Sequence, residues 1–375
     1  MNGMSCRQRA TKLKTIYYVW LIIFLMTSVV GCGNYAAVNS TPASGEIQTI
    51  TDCFGRTVQV PVNPQRIACL CPEAGHALAM YDKGDAIVAI VNGMRRDKLL
   101  VEMYPHITKV PVPKSSGVIN IEELVAANPD LVLVKADVIN HDGEMEKLAK
   151  AGIPVVGIQF SNMQEQLEAM RVIAQAVGTE VTWQKYREFY ESTVALVQDR
   201  VAGIPDGERI RIYHSVNEAT RTDPKDSLPA DWTRAAGVVN VSINEDLKYE
   251  DGDYYASLEQ ILLWDPDYIL VNDPNVVGYI MENEQWAPLQ AVKNGNVLPM
   301  PNGLSRWGHF SSLETPLAVL WTAKTVYPER FEDIDMKTIT RDFYKQFFNW
   351  DLDDATIDNI LSSRDMRGAK NQPND

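Results

Sequence analysis

A fifteen-residue pattern that occurs twice most constrains what this chain can fold into: NIEELVAANPDLVLV from Asn120 to Val134, and SLEQILLWDPDYILV from Ser257 to Val271. Both copies predict a helix, a turn and a strand. A cap-type residue, Asn120 or Ser257, is followed three positions later by Glu123 or Gln260, the spacing of a capping box in which two backbone donors at a helix start are satisfied reciprocally. The apolar helix face then runs into Pro129-Asp130 or Pro266-Asp267, where the residue before proline is pushed out of the helical region. Capping occupies Glu123 and Gln260, so Glu122 and Glu259 are left to point outward from the first turns of two equivalent helices. The repeat predicts two lobes of one kind, each presenting one carboxylate. Taken alone, those carboxylates need only complement the positive end of a helix dipole, an effect of roughly 0.3–1 kcal/mol each.

With 375 residues the chain has room for two domains of ordinary size. Residues 1–31 stand apart. Arg7, Arg9, Lys12 and Lys14 form a basic stretch without an acid, and Ile16 to Val30 is an almost continuous apolar run. That run is shorter than the roughly 20 residues of a membrane span and matches the apolar region of an export signal. Its end, Val29-Val30-Gly31-Cys32, is similar to the lipobox of bacterial lipoproteins, which implies a lipidated Cys32 as the mature N-terminus. An uncleaved anchor with a chance cysteine is the alternative. Residues 32–46 are small and polar, as a flexible tether should be, and the folded part is expected from Ile47 onward.

The net charge is −14, and loss of the four basic residues of the leader takes it to −18. A field of that sign argues against nucleic acid and anionic lipid surfaces as partners. An anionic ligand would need a local cluster of positive side chains. Beyond the leader and Cys32 three cysteines remain, Cys53, Cys69 and Cys71. An odd count cannot pair completely, and Cys69 and Cys71, two apart on one strand, are badly placed to bridge each other. Disulfides are therefore not expected to hold the fold together, and Cys71 reads as a small apolar residue.

From Ile47 short β-branched strands alternate with amphipathic helices. Arg66 to Cys71, Ala86 to Val91, Leu131 to Lys135 and Pro154 to Gln159 make one series, and Arg209 to His214, Tyr268 to Asn272 and Asn296 to Met300 a second. Such alternation predicts an α/β fold, with parallel strands and helices packed on both faces. Between the series, Trp183, Tyr186, Tyr190, Val194, Val197 and Val201 recur at helical spacing, predicting one long helix from about Glu180 to Ala202. The expected division is a first lobe at 47–178, a bridging helix at 179–204, a second lobe at 205–363 ending in two helices, and a polar, frayed tail at 364–375.

Ile50-Thr51-Asp52-Cys53-Phe54-Gly55-Arg56-Thr57-Val58-Gln59-Val60-Pro61 and Pro64-Gln65-Arg66-Ile67 resemble the opening of the substrate-binding proteins of ABC importers for iron–siderophore complexes, haem and cobalamin. The likeness continues through Gly84 to Ile90, both copies of the repeat, and Trp321-Thr322-Ala323-Lys324 to Pro328, covering essentially the whole mature chain. The resemblance implies two Rossmann-like lobes bridged by one long backbone helix, with the ligand between them. It implies partners too: an ABC permease and its ATPase, onto which one glutamate per lobe docks. The positions matching that pattern are Glu122 and Glu259. Two stretches depart from the family: Cys69 and Cys71, which flank a position where small hydroxyl residues are common, and Glu73-Ala74-Gly75-His76 after the first strand.

Ligands of open α/β sheets bind beyond the carboxyl ends of the strands. The expected ligand-binding residues are therefore Glu73, Arg95, Arg96, Lys114, Ser115 and Phe160 in the first lobe, and His214, Asn272, Arg306, Trp307 and His309 in the second. The stretch from Ser305 to His309 puts a guanidinium, an indole and an imidazole at one strand exit, suited to a planar or anionic chelate. Each has a plainer reading: Arg95 and Arg96 as solvated surface charges, Lys114 likewise, Trp307 as core. No resident metal or cofactor is expected. Five histidines are present, none in the spacing of HExxH, although His76, His214 and His309 could converge between lobes.

These readings converge on a monomeric, lipid-anchored extracytoplasmic receptor that captures a metal chelate, foremost a ferric siderophore. Cobalamin, haem and a molybdate-type oxyanion are the alternatives within the binding class. No catalytic residues are expected, since no GxSxG elbow, P-loop or dinucleotide fingerprint is present. A surface enzyme or chelatase on the same fold is the rival from another class.

Overall fold

The structure, a computed structural model, describes residues 46–368. The expected leader, lipid site Cys32 and all but the last residue of the tether lie outside the described residues. Among those described, no helix is long and apolar enough to cross a membrane.

The chain opens with an antiparallel hairpin, β1 (Ile47–Thr51) and β2 (Thr57–Pro61). Asp52 organises its turn: the carboxylate accepts the backbone N–H groups of Phe54 and Arg56 and the Arg56 guanidinium, and reaches Gly157 N at 2.9 Å. The hairpin is thereby fastened to the first sheet, which consists of β3 (Ile67–Cys69), β4 (Ile87–Ala89), β7 (Leu131–Val134) and β8 (Val155–Gly157) in the order β4-β3-β7-β8, all parallel. A minor hairpin, β5 (Lys114–Ser115) and β6 (Val118–Ile119), precedes β7. Every residue of β3 and β7 is buried, as expected where helices cover both faces of a parallel sheet.

The second lobe repeats this plan with β9 (Arg211–Ser215), β11 (Val239–Asn240), β14 (Tyr268–Val271) and β15 (Val297–Pro299) in the order β11-β9-β14-β15, again parallel. The two-lobed α/β expectation therefore holds. One element was not anticipated: β10 (Arg221–Thr222), β12 (Lys248–Glu250) and β13 (Asp253–Tyr255) form a small antiparallel sheet inserted around β11. Its strands are too short and too polar to carry an alternating apolar signal.

The long helix runs from Glu180 to Val201, 22 residues, or about 33 Å at ~1.5 Å per residue. The helix before it, Met163–Val177, ends at Gly178 in the left-handed conformation that favours glycine, which lets the chain turn into the bridge. The buried face is Tyr186, Tyr190, Thr193, Val194, Val197 and Val201, close to the face read from spacing. Two hydroxyls on it reach opposite lobes: Tyr190 donates to Gln166 Oε1 at 2.9 Å, and Tyr186 donates to the Leu313 carbonyl at 2.6 Å.

The repeat has the same architecture in both lobes. The helices Ile121–Ala126 and Leu258–Trp264 end at left-handed Asn128 and Asp265, residue types that tolerate that conformation before the proline. The caps differ. Ser257 and Gln260 form a complete capping box, whereas Asn120 accepts from Glu123 N without a return bond from the Glu123 side chain. The expectation that capping engages Glu123 is therefore corrected: in the first lobe two neighbouring carboxylates are uncommitted.

Candidate functional site

The carboxyl ends of both parallel sheets face one region between the lobes, and the residues there are held mainly by one another. Glu73 opens the helix Pro72–Met80 just after β3 and is buried, with Lys135 Nζ 2.9 Å from its Oε1. Lys135 follows β7, and its ammonium also lies 5.3 Å from the Phe310 ring centroid in the second lobe. Burial opposes the Lys135 charge, but Glu73 outweighs it and holds the pKa above the ordinary value. Glu73 is thus committed to an ion pair inside the protein.

Two histidines are each held by a carboxylate: His76 Nε2 lies 3.0 Å from Asp97 Oδ2, and His214 Nδ1 lies 2.5 Å from Asp223 Oδ2. Both are buried, and His214 Nε2 has no partner. His309 is also buried and exchanges with Ser311 Oγ at 3.0 Å. Burial pushes its pKa well below the ordinary range, and the guanidiniums of Arg306 and Arg221 push the same way. Among the described residues no three His, Cys, Asp or Glu side chains gather as a metal site. The three thiols are unbridged, and burial raises the pKa of each, Cys53 to about 11.

The loop after β15 is organised by one buried acid. Glu314 accepts from Leu304 N (3.0 Å), Ser305 N (2.8 Å), Ser305 Oγ (2.7 Å), Trp307 Nε1 (3.0 Å) and the Tyr344 hydroxyl. Those five donors fix the backbone on both sides of Arg306. Trp307 is completely buried, with its indole N–H spent on Glu314, so the expectation that it faces a ligand is corrected in favour of core packing. An indole that finds its partner inside has no polar edge left to expose.

A cavity of about 750 Å³ lies outside these buried groups and draws its wall from both lobes. Four arginines line it: Arg96 from the turn after β4, Arg221 from β10, Arg306, and Arg367 beyond the last helix. Among the described residues, none that lines it is aromatic. Arg221 pairs with Asp253 and Arg367 with Asp97. Among the described residues Arg96 and Arg306 form no ion pair: Arg96 Nε donates to the Gly368 carbonyl at 3.1 Å, and Arg306 donates to the neutral amide oxygen of Asn217. Burial lowers the Arg306 pKa to about 10, Asp273 resists this, and Arg96 and Arg221 add repulsion. Burial is the main cause, because removal from water disfavours the charged form.

The other expected ligand residues do not line this cavity. Arg95 is exposed and bonds the Val110 carbonyl at 2.7 Å. Lys114 pairs with Asp137 at 2.6 Å, Ser115 is exposed on β5, and Phe160 packs on the core. Asn272 is buried, its side-chain oxygen accepting from Asn217 N at 3.0 Å, so it shapes the turn that presents Asn217 to Arg306. Sequence reasoning missed Arg221 and Arg367, because neither follows a strand of a parallel sheet. Glu122 and Glu259 are exposed at their helix starts, and neither makes a hydrogen bond or ion pair among the described residues.

The sequence profile of the periplasmic binding protein family matches residues 67–304, a span that includes both parallel sheets. The chain belongs to that family. This periplasmic binding protein is the substrate-binding component of an ABC importer, and its family works outside the cytoplasm. It is 26% identical over 325 residues to the molybdate-binding protein MolA of Haemophilus influenzae, covering 80% of this chain and 90% of the relative. It is 22% identical over 309 residues to the iron(3+)-hydroxamate-binding protein FhuD of Bacillus subtilis, covering 76% of this chain and 90% of the relative. The solved structure of MolA bound to molybdate superposes with a TM-score of 0.73 at 24% identity, covering 82% of this chain and 99% of that one. Helicobacter pylori CeuE with Ni(II) bound gives 0.68 at 22% identity, covering 84% and 99%. At that identity the solved structures share the fold, and they establish nothing finer.

Proposed function

We propose that this periplasmic binding protein captures an anion between its lobes, and that the anion is an oxyanion of the molybdate class. The observation that carries this is the pair Arg96 and Arg306, two guanidiniums without a carboxylate partner that line one cavity from opposite lobes. Glu218, Asp273 and Asp365 line the same cavity, so the support lies in these two guanidiniums facing each other from opposite lobes and not in the cavity's net charge. Guanidinium donors match oxyanions in charge and planar geometry. The absence of aromatic side chains from the lining removes the stacking surface that haem or cobalamin would use, and the kinship with a protein named for molybdate agrees.

A second reading, the ferric siderophore, is favoured by size. A cavity of about 750 Å³ lies within the range of roughly 300–1,000 Å³ typical of sites for drug-sized ligands. The charge of the site then selects among chelates. Three catecholate dianions around a ferric ion leave the complex triply negative, whereas three hydroxamate monoanions leave it neutral, so an anionic chelate is the form that fits.

Isothermal titration calorimetry of the purified protein with molybdate, sulfate, a ferric tris-catecholate and a ferric tris-hydroxamate separates these readings. Binding of molybdate supports the first, and binding of the catecholate alone supports the second. Binding of only the neutral hydroxamate complex or a bare divalent cation would overturn anion capture altogether. Within the same proposal, Cys32 carries the lipid anchor, and Glu122 and Glu259 meet arginines of the permease. Their exposure at two equivalent helix starts supports that role.

A further inference from the structure

The last helix of the second lobe is Asp354–Leu361, and Ile360 fastens it beside β15 by accepting from Asn302 N at 2.9 Å. Beyond it residues 364–368 are held against the first lobe, where the polar composition suggests fraying, and residues 369–375 lie outside the described residues. Two left-handed residues, Ser363 and Asp365, redirect it toward the first lobe. There Lys98 N donates to the Met366 carbonyl at 3.2 Å, and Gly368 N donates to the Arg96 carbonyl at 2.8 Å, with Asp97 and Arg367 opposed as an antiparallel bridge. Met366 is buried against the common core. The segment Asp365–Gly368 is therefore a strap that crosses from one lobe to the other, in addition to the helix Glu180–Val201.

The strap carries two groups into the cavity. Arg367 lines it, donating to Asp97 Oδ1 and to the Gly93 carbonyl at 3.2 Å, while its Nε is buried without a partner. The Gly368 carbonyl accepts from Arg96 Nε and so aims one of the two unpaired guanidiniums. Burial also lowers the Arg367 pKa to about 10, with Arg96 adding repulsion, although Asp97 is already at hand.

We propose that the C-terminal strap is part of the ligand site: Arg367 is an anion-binding residue, and the strap positions Arg96 beside it. This rests on the anion-capture reading and adds to it a third cationic contact, from a segment outside both sheets. The occupied site then closes around the anion from three directions: Arg96 from the first lobe, Arg306 from the second and Arg367 from the strap between them.

Four forms of the protein test this: wild type, Arg367→Gln, Arg306→Gln and a chain ending at Arg364, each titrated calorimetrically with molybdate and with a ferric tris-catecholate. Thermal unfolding checks that each is folded. Arg367→Gln is expected to weaken binding of whichever anion wild type takes by tenfold or more, and to reduce the dependence of affinity on salt. The shortened chain should lose at least as much, and hydrogen exchange should show the Lys98 amide deprotected. Wild-type affinity in folded Arg367→Gln, with loss in Arg306→Gln, overturns the strap proposal while leaving anion capture standing. Wild-type affinity in Arg306→Gln as well, or no anion bound by wild type, overturns both. If the shortened chain does not fold, the point substitution alone decides.

Discussion

Asp130 and Asp267 hold the same post in the two lobes. Each carboxylate, just after the proline of the repeat, accepts the backbone N–H at the start of the neighbouring strand: Arg66 N at 3.0 Å from Asp130 Oδ1, and Arg211 N at 2.8 Å from Asp267 Oδ2. Each residue's own N–H returns a bond to the carbonyl of the same arginine. The Pro-Asp step therefore sets the register of the two central strands of its sheet. Replacing either aspartate by alanine should cost about 1–2 kcal/mol, the worth of a hydrogen bond to a charged acceptor at a partly exposed site. Urea unfolding of Asp130→Ala and Asp267→Ala measures this, and losses below the error of the method would reduce the motif to a plain turn.

The buried carboxylate of Glu314 makes a stronger prediction. Its five donors hold the loop that presents Arg306, so Glu314→Gln should destabilise the protein by about 3 kcal/mol and weaken anion binding together. Tyr344→Phe removes one donor to Glu314 and one acceptor for Leu304 N, which keeps its bond to Glu314, and should cost about 1 kcal/mol. A Glu314→Gln protein with wild-type stability and affinity would show that the loop is held by something else.

Trp307 separates packing from recognition. Being fully buried, it should respond to Trp307→Phe with a lower unfolding temperature and an unchanged dissociation constant for the bound anion. A selective loss of affinity in a fully stable variant would return the indole to the binding surface.

His309 predicts how stability depends on pH. Its pKa in the folded protein lies below that of the unfolded chain, so its contribution is fully present above about pH 6.5 and declines as pH falls below that value, where the unfolded state binds the extra proton. Wild type should therefore lose stability between about pH 7 and pH 5, and His309→Gln should lose less over the same interval. Equal slopes for the two proteins would assign the acid sensitivity to other groups.

Docking makes an asymmetric prediction. Charge reversal at Glu122 and Glu259 together should abolish uptake and leave ligand affinity intact. Because Glu123 is not tied into a capping box, whereas Gln260 is, reversal at Glu122 alone should impair uptake less than reversal at Glu259 alone. Uptake assays in cells carrying the cognate permease measure both, and undiminished uptake in the double variant would return these residues to helix-dipole duty.

The two sheets, the bridging helix and the repeat were legible because each rests on a local period or turn signal that survives without tertiary context. The placement of Arg96 and Arg306 in the cavity wall was legible for a related reason, since strand exits can be counted from the sequence. Trp307 misled because an indole at a strand exit looks the same whether it faces solvent or Glu314, and Glu314 lies seven residues away with no motif to announce it. Arg221 and Arg367 were hidden because a two-residue strand and a polar tail carry no periodicity. Their positions depend on contacts between segments far apart in the chain, such as Arg367 with Asp97.

The unbroken helix Glu180–Val201 also bears on how a transporter reads its receptor. With hydroxyls of neighbouring turns gripping opposite lobes, the two lobes ride on a stiff beam more than on a loose hinge. Under the proposed docking, Glu122 and Glu259 keep a nearly constant stance whether or not cargo is aboard. A permease resting on them must tell full from empty by a slight tilt, or by the state of the mouth above it.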